Sequence, residues 1–382
     1  VGFLDKPTRQ KIGNVLLTGA TGFLGIHILR ELLISTNVKI YCLVRPDPST
    51  SPVDKLLHKL HFYFGNQFDH LIDYRIFVMT ADIVEPNLGL SIETITNLAS
   101  QVSCVINSAA LVKHYGDYKD FNNINVIGVQ NLISFCENFN KLLIQISTTS
   151  VSGTLLTSLT DSYLPEEKVN FTERDLFIHQ DLNNVYVRSK FEAERLILTE
   201  LVHKRLKALI LRVGNITNRY DDGKFQENDI ENAFLNRLKA FLTLKQIPDS
   251  ILDNYIEFTP VDFASKAIIK SIEFSEPAIS ILHIYNSKHL YINQLVHILK
   301  QLNIPIEIVD DSSFSTALKN FSFNNLSSDF NILLNDLDKS DKLLYHTNLT
   351  INNDFTIEFL QSIGFDWPEI DKSYIQKLLN NL

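Results

Sequence analysis

The chain has 382 residues, of which 45% are hydrophobic, 21% charged and 10% aromatic. That composition is typical of a globular protein with a large core, and it excludes disordered, collagen-like and coiled-coil chains. Acidic residues outnumber basic ones by 44 to 35 and no block of Lys and Arg stands out, so the composition argues against nucleic-acid binding.

No apolar run approaches the roughly 18 residues that span a bilayer, and the N-terminal residues lack the apolar core of a secretory signal. We therefore expect a soluble, cytoplasmic protein with no membrane partner. Residues 1–11 are polar and contain Pro7, which predicts a linker and a chain cut from a longer one. Cys42, Cys104 and Cys136 are too scattered for a disulfide framework or a zinc site, so we expect reduced core thiols and no metal.

The first part of the chain alternates strands with helices. An apolar run at 14–18 precedes a glycine-rich turn, a helical pattern spans 26–34, and a second strand spans 38–44. Further predicted strands lie at 75–79, 103–107, 141–146 and 207–213. Because such alternation produces right-handed parallel β-α-β units, we expect an α/β fold with a doubly wound, mostly parallel, Rossmann-type sheet.

The alternation loosens after residue 213. A polar stretch at 215–229 interrupts the sheet, and a further strand is predicted at about 255–260. Beyond 283–286 the pattern is mostly helical, which we interpret as a smaller, discontinuous, mainly helical lobe. The predicted helices there lie at 291–302, 313–319, 356–363 and 372–379. The predicted domains are a Rossmann domain of residues 12–214 and 250–286 and a smaller lobe of residues 215–249 and 287–382.

The turn Gly19-Ala-Thr-Gly-Phe-Leu-Gly25 has the composition of a pyrophosphate-binding loop. Its first glycine permits a tight turn, its second lets the backbone approach phosphate, and its third lets the helix pack close to the strand. The strand before it and the helix after it support a dinucleotide site. The residues predicted to form this part of the site are Thr18, Gly19, Thr21, Gly22, Phe23, Leu24 and Gly25.

Arg45 ends the second strand, about 20 residues past the glycines, where folds of this kind bind the adenosine ribose. An acidic residue would repel a 2′-phosphate, whereas an arginine offers it a planar cation, so the sequence predicts NADPH. Arg45 could instead be a solvated cation, and Asp47 could still contact a ribose. Asp82, followed by Ile83 after the third strand, is placed to meet the adenine and is equally consistent with a turn-forming aspartate.

A Tyr-x-x-x-Lys pair on a helix places a phenol and an ammonium on one face, where the ammonium helps the phenol lose its proton. Three such pairs occur, Tyr115/Lys119, Tyr186/Lys190 and Tyr220/Lys224. A turn sequence follows Tyr220, and no strand ending in hydroxyl side chains closely precedes Tyr115. Tyr186, in contrast, opens a helix-forming segment and follows a strand that ends in Ser147-Thr-Thr-Ser150, so one of these hydroxyls can hold a carbonyl oxygen beside it.

These features together resemble an extended short-chain dehydrogenase/reductase, and more narrowly the terminal thioester reductase domain of nonribosomal peptide synthetases. The resemblance covers residues 12–265, and Val213 departs from it because many extended members have proline there. The last hundred residues match no motif that we can name. The motifs that carry the resemblance are Val15-Leu-Leu-Thr-Gly-Ala-Thr-Gly-Phe-Leu-Gly25, Leu43-Val-Arg45, Asn107-Ser-Ala-Ala-Leu-Val112 with His114, Asn125-Val-Ile-Gly128, Ser147-Thr148 with Gly153, Tyr186-x-x-x-Lys190 with Glu194, Leu211-Arg-x-Gly-Asn-Ile216 and Pro260-Val-Asp262.

The resemblance implies roles for individual residues. Thr148 would orient the substrate carbonyl, with Thr149 and Ser150 as rivals. Tyr186 would donate the proton to the developing alkoxide, and Lys190 would bind the nicotinamide ribose and bias the tyrosine toward its anion. Asn107 and Ala109 would line the nicotinamide pocket. Asn125 would hold the supporting helix or be purely structural, and His114 is interpreted as a family residue rather than an acid.

The implied reaction is NADPH-dependent reductive release of a carrier-bound peptidyl or acyl thioester to an aldehyde, with further reduction to the alcohol left open. The implied partner is a phosphopantetheine-carrying peptidyl carrier domain in the same polypeptide, and the smaller lobe would face substrate or carrier. Alternatives within the fold are a carboxylic acid or fatty acyl reductase and a sugar-nucleotide epimerase or reductase. An alternative of another class is a non-catalytic NADP-sensing regulator.

Overall fold

The computed structural model describes residues 8–112, 116–153, 169–228, 232–274, 280–324, 333–334, 336–337, 342–343 and 349–382. The chain divides into two compact units. The first comprises Val1–Gly214, Val261–Tyr285 and Asn348–Asp366, and the second comprises Asn215–Pro260, Asn286–Thr347 and Trp367–Leu382. None of the described helices has both the length and the apolar character needed to cross a bilayer.

Strands and helices are each numbered in chain order over the described residues. The strands are β1 (Val15–Thr18), β2 (Ile40–Val44), β3 (Ile76–Thr80), β4 (Cys104–Asn107), β5 (Leu142–Thr148), β6 (Val169–Phe171), β7 (Lys207–Val213), β8 (Ile216–Thr217), β9 (Gln246–Pro248), β10 (Tyr255–Ile256), β11 (Thr259–Pro260), β12 (Ile281–Ile284), β13 (Leu290–Tyr291), β14 (Glu307–Val309) and β15 (Leu349–Ile351). The α-helices are α1 (Phe23–Ser35), α2 (Pro52–Phe64), α3 (Ile92–Gln101), α4 (Tyr118–Phe121), α5 (Gly128–Phe139), α6 (Val185–Val202), α7 (Ala233–Leu244), α8 (Val261–Phe274), α9 (Ile292–Gln301), α10 (Asp311–Asn324), α11 (Asp354–Ser362) and α12 (Lys372–Leu379). A π-helix, Asn122–Ile127, joins α4 to α5.

A seven-stranded parallel sheet in the order β12-β7-β5-β4-β1-β2-β3 forms the centre of the first unit. Its strands are short apolar runs buried on both faces, as in β1 and β4, because helices cover both sides of a doubly wound sheet. The predicted Rossmann-type fold is confirmed. The strand order reverses beside β1, between β2 on one side and β4 on the other, so the carboxyl ends of β1 and β4 flank the crevice where such sheets bind ligands.

The two units differ from the predicted domain ranges at two places. The expected strand at 255–260 is two short strands outside the main sheet: β10 pairs with β13 and β11 pairs with β8, all within the second unit. Pro260 ends β11 and lacks the N–H that a longer central strand would need. The segment 349–362, predicted for the smaller lobe, belongs to the first unit, because β15 pairs with β6 and the Thr356 hydroxyl donates to Glu173 Oε1 at 2.6 Å.

The second unit has its own apolar core, to which α7, α9, α10 and α12 contribute. Its buried side chains recur at helical spacing, as at Leu295 and Leu299 on α9 and at Phe314 and Leu318 on α10. The expected additional helical region is therefore confirmed.

The three cysteines are buried and have free thiols. Burial raises the pKa of the Cys42 and Cys104 thiols to about 12 and also raises that of Cys136. These thiols are therefore protonated core side chains rather than nucleophiles at neutral pH.

Candidate active site

The glycine loop joins β1 to α1 in a turn that side chains would block. Gly19 has φ +72°, and a Cβ there would lie 2.5 Å from the Ala109 nitrogen. A Cβ on Gly25 would collide with the Gly19 carbonyl group. The Gly22 amide closes the turn by donating to the Gly19 oxygen at 2.9 Å. The glycine loop can therefore lie against both α1 and the segment after β4 only because these positions lack side chains.

The start of α1 suits an anion. Gly22 is the N-cap and is exposed, and the first i to i−4 hydrogen bond runs from the Ile26 amide to the Gly22 oxygen at 2.9 Å. Amides of a first helical turn point out of the helix end, and the helix dipole favours negative charge there. Phe23, Leu24 and Thr21 are half-buried around this end. The loop thus fits the pyrophosphate of a dinucleotide, because backbone donors are available and no Cβ intrudes.

A buried chain of amide and hydroxyl groups connects β1, β4 and β5 beneath the loop. Thr18 Oγ1 donates to Asn107 Oδ1 at 2.5 Å, and Asn107 Nδ2 donates to Gln145 Oε1 at 2.9 Å. Gln145 in turn donates to the Ile146 oxygen at 2.8 Å, and Asn107 Oδ1 also accepts the Ala109 amide at 3.2 Å. Three predicted site residues are thus brought together. Gln145 was missed, although a glutamine inside an apolar strand was a usable signal.

The residues that were predicted to contact the ribose and the adenine differ in their exposure and in their hydrogen bonds. Arg45 is exposed at the end of β2. Asp47 is held in a local turn, where it accepts the Ser49 amide at 2.9 Å and lies 3.6 Å from Lys55 Nζ. Asp82 Oδ1 accepts the Val84 amide at 3.2 Å, which is the contact of a turn-forming aspartate. Ile83, next to Asp82, is buried, and its carbonyl accepts from Asn131 at 2.8 Å.

Tyr186 and Thr148 meet at the end of β5. Asn184 caps α6 by accepting the Tyr186 amide at 3.0 Å, which puts Tyr186 in the first turn of the helix. Thr148 is the last residue of β5, and its hydroxyl accepts the Ser150 amide at 3.1 Å. Desolvation raises the pKa of the Tyr186 phenol to about 12, while a side-chain hydrogen bond with Thr148 acts to lower it. Thr149 is buried and Ser150 is exposed.

Lys190 lies one helical turn after Tyr186 and is 3% exposed. Its Nζ donates to the Ile146 carbonyl oxygen at 2.7 Å, which ties α6 to β5. Desolvation lowers the pKa of this ammonium to about 8, and the Glu194 carboxylate acts in the opposite direction. The site therefore holds a protonated phenol and an ammonium that titrates close to neutral pH.

Asn125 lies in the π-helix and is 1% exposed. Its side chain accepts the Leu111 amide at 2.8 Å and donates to Ser189 Oγ at 2.9 Å. Ser189 donates to the Tyr186 carbonyl oxygen at 2.7 Å. Asn125 therefore joins the segment after β4 to the first turn of α6.

Of the alternative Tyr-x-x-x-Lys pairs, Tyr220/Lys224 lies in the second unit. Tyr220 stacks on Tyr374 with ring centroids 5.4 Å apart, and the Lys224 amide is held by Asp222 in a turn. His114 and Tyr115 lie outside the described residues.

Comparisons with known proteins identify the family. A family model described as male sterility protein, an NAD-binding family, matches residues 17–268. The chain belongs to this family. It consists of extended short-chain dehydrogenase/reductases, so the resemblance inferred from the sequence is confirmed.

Several solved structures of reductase domains are similar to this chain. A thiolation-reductase di-domain from an archaeal nonribosomal peptide synthetase is 35% identical, with a TM-score of 0.84 covering 98% of this chain and 76% of that one. The reductase domain of the aureusimine biosynthetic cluster is 26% identical, with a TM-score of 0.79 covering 100% of this chain and 93% of that one. The similarity to reductase domains implies an NAD(P)-dependent oxidoreductase.

Curated relatives of this reductase-family chain are longer proteins. A linear gramicidin synthase of Brevibacillus parabrevis is 28% identical over 376 residues, which are 96% of this chain and 7% of that protein. The chain spans between 7% and 22% of the length of the first curated relatives that it matches.

Proposed function

We propose that this reductase domain releases a carrier-bound peptidyl or acyl thioester as an aldehyde, with NADPH as the reductant. The observation that carries the proposal is the meeting of the Tyr186 phenol and the Thr148 hydroxyl at the carboxyl end of β5, beside the buried ammonium of Lys190. Two hydroxyl donors at the ligand-binding edge of a Rossmann sheet are suited to a carbonyl oxygen. The similarity to a thiolation-reductase di-domain supports a thioester as the substrate.

The residues of this chain act on the carbonyl oxygen. NADPH, when bound, supplies the hydride that adds to the thioester carbon. Thr148 and Tyr186 donate hydrogen bonds to the oxygen as negative charge develops on it, and Tyr186 then transfers its proton to it. The raised pKa of Tyr186 keeps the phenol protonated at neutral pH, as a proton donor requires.

The resulting hemithioacetal then breaks its carbon–sulfur bond. The Tyr186 phenolate takes the proton of the hemithioacetal hydroxyl, the electron pair of the carbon–sulfur bond leaves with sulfur, and the thiolate takes a proton from solvent, so the products are an aldehyde and the pantetheine thiol. A second hydride and proton would give the alcohol. Lys190, fixed by the Ile146 carbonyl, would contact the nicotinamide ribose and keep positive charge next to the phenol.

NADPH, rather than NADH, is supported by Arg45. Its guanidinium is exposed at the end of β2, whereas the carboxylate of Asp47 is engaged by Ser49 and Lys55. An exposed guanidinium suits a 2′-phosphate, and an engaged carboxylate is poorly placed to accept ribose hydroxyls. In this proposal Asp82 and Ile83 lie beside the adenine, and Asn107 and Ala109 line the nicotinamide pocket.

A phosphopantetheine-carrying domain in the same polypeptide is the proposed partner. The similar archaeal structure joins a thiolation domain to a reductase domain, and the relatives are far longer than this chain. A tethered thioester reaches the site at high effective concentration, which removes the need for tight binding in trans.

The experiment that tests the proposal offers the purified domain a panel of pantetheine thioesters with NADPH or NADH, following cofactor oxidation and product mass. We expect thioesters to be converted to aldehydes with NADPH preferred. Tyr186→Phe should lower turnover about 10²- to 10⁴-fold, and Tyr220→Phe, in a Tyr-x-x-x-Lys pair of the second unit, should not. Consumption of ketones, free acids or sugar nucleotides instead of thioesters, or a preference for NADH, would contradict the proposal.

A further inference from the structure

A buried ion pair behind the proposed active site has no part in the chemistry described above. Glu194 on α6 and Arg212 on β7 both have side-chain exposures of 0%. Glu194 Oε2 accepts from Arg212 Nη2 at 2.8 Å and from Nε at 3.0 Å. Burying two charges in this way costs about as much as their attraction returns, so stability alone does not account for the pair.

Glu194 also holds the strand that carries Thr148. Its Oε1 accepts from Ser147 Oγ at 2.5 Å, and Ser147 directly precedes Thr148. One helical turn earlier, Lys190 Nζ donates to the Ile146 oxygen. Two successive turns of α6 are therefore tied to two successive residues of β5, immediately before the hydroxyl of Thr148.

Arg212 keeps Glu194 in place because the rest of its guanidinium is also engaged. Nη2 donates to the Asp175 carbonyl oxygen at 2.8 Å, and Nη1 donates to His283 Nε2 at 3.1 Å and to the Thr172 carbonyl at 3.4 Å. Burial lowers the pKa of His283 to about 3, so its ring is neutral and accepts at Nε2. Nδ1 of that ring then donates to the Asn352 oxygen at 2.7 Å.

We propose that Glu194 is a positioning residue for thioester reduction: anchored by Arg212 and bonded to Ser147, it sets the separation between Thr148 on β5 and the α6 turn that carries Tyr186 and Lys190. The inference rests on the proposed function, because that function assigns Thr148 and Tyr186 to one carbonyl oxygen. Glu194, whose side chain is fully buried, would act through Ser147 rather than by touching substrate or cofactor. Its effect is large because two donors must converge on one atom, and a displacement of about 1 Å can cost about a hundredfold in rate.

The decisive variant is Ser147→Ala, which removes the link to Thr148's strand and leaves the Glu194–Arg212 pair intact. We expect kcat to fall by about tenfold to a hundredfold, with little change in KM or in the NADPH dissociation constant. Ser147→Thr keeps a hydroxyl and should restore most of kcat. The matched control is Glu192→Gln, which alters a partly exposed ion pair with Arg195 on the same helix and should leave kcat unchanged.

The variant Glu194→Gln adds a second measurement, the pH profile of kcat/KM, which would not change if Glu194 had a merely structural role. Glu194 raises the pKa of Lys190, so its loss should shift the basic limb of the kcat/KM profile to lower pH. The charged group that acts on this ammonium is Glu194 itself, and the groups that face Glu194 and Arg212 from the neighbouring elements are the Ser147 hydroxyl on β5, the neutral His283 on β12 and the Asp175 carbonyl. If Glu194→Gln does not fold because Arg212 is left without its carboxylate, Ser147→Ala still decides the matter.

Hydrogen exchange of the amides at 145–150 separates this inference from the proposed function. In Ser147→Ala these amides should exchange faster than in the wild type or Glu192→Gln. If the wild type reduces no thioester, the proposed function fails. If the wild type is active and Ser147→Ala has the wild-type kcat and exchange rates, the positioning role of Glu194 is overturned.

Discussion

The glycine loop and the site at the end of β5 are built in opposite ways. The loop is seven residues of backbone, and what it requires is the absence of side chains at Gly19 and Gly25. The β5 site requires side chains to be present, and hydrogen bonds join Thr148 and the Ile146 carbonyl on β5 to Tyr186 and Lys190 on α6. A backbone site depends on local sequence, whereas a side-chain site depends on what holds two elements at a fixed distance.

The sharpest test of this contrast is Tyr186→Phe. We expect turnover of a pantetheine thioester to fall about 10²- to 10⁴-fold because the proton donor is lost, while NADPH affinity stays unchanged because the loop is intact. Steady-state kinetics and a fluorescence titration with NADPH measure the two quantities. A parallel loss of NADPH affinity would show that the two sites are not separate.

Gly25→Ala should have the opposite signature. The added methyl group collides with the Gly19 carbonyl, so we expect NADPH affinity to collapse and the protein to lose about 1–3 kcal/mol of stability. Gly65→Ala is the control: Gly65 has φ +62° but no atom within 4 Å of the added Cβ, so it should cost only backbone strain and leave NADPH affinity intact. Equal NADPH affinity in Gly25→Ala and the wild type would remove the loop from the cofactor site.

The same contrast explains what could be predicted from the sequence. The sheet and the glycine loop were predictable, because apolar runs and glycines act on their immediate neighbours. The Tyr186 helix was separable from the Tyr220 pair by its flanking residues alone. Gln145 and Ser189 were missed as connectors, since their partners lie on elements far away in sequence.

The boundary of the smaller lobe was difficult for a related reason. The segment around Thr356 packs in the first unit through hydrogen bonds with Glu173 and with the His283 amide. These contacts cannot be predicted from the local sequence pattern. A helical period specifies that a segment is a helix, and long-range side-chain contacts decide where it packs.

Arg45→Ala tests how much one side chain contributes to the binding of NADPH. Loss of a charge-assisted contact with a 2′-phosphate should weaken NADPH binding by about tenfold to a hundredfold and leave NADH binding unchanged. Dissociation constants for both cofactors at two salt concentrations measure this, because an exposed contact weakens as salt rises. Asp47→Asn is the control, and weaker NADH binding in that variant would instead assign the ribose to Asp47.

The pH dependence tests the side-chain site without altering the loop. The pKa of Lys190 is about 8, so kcat/KM should be constant below that pH and fall above it as the ammonium loses its proton. Lys190→Arg keeps the positive charge at all accessible pH values, so the decrease of kcat/KM at high pH should be absent in this variant, even if its kcat/KM is lower overall. A decrease that persists in Lys190→Arg would be due to the titration of another group.

The smallest expected effect is that of Ser189→Ala, one step further from the reacting atoms. Removing Ser189 leaves one N–H of Asn125 without its acceptor, which should cost about 1–3 kcal/mol of stability. Turnover should fall by less than about tenfold, because Asn184 still caps α6 and Lys190 still bonds β5, so Tyr186 moves little. Chemical denaturation and kcat measure the two effects, and Ser134→Ala, an exposed helical serine on α5, is the control. A loss of turnover as large as in Ser147→Ala would mean that Asn125 positions Tyr186 as strongly as Glu194 positions Thr148, and the site would then depend on both supports equally.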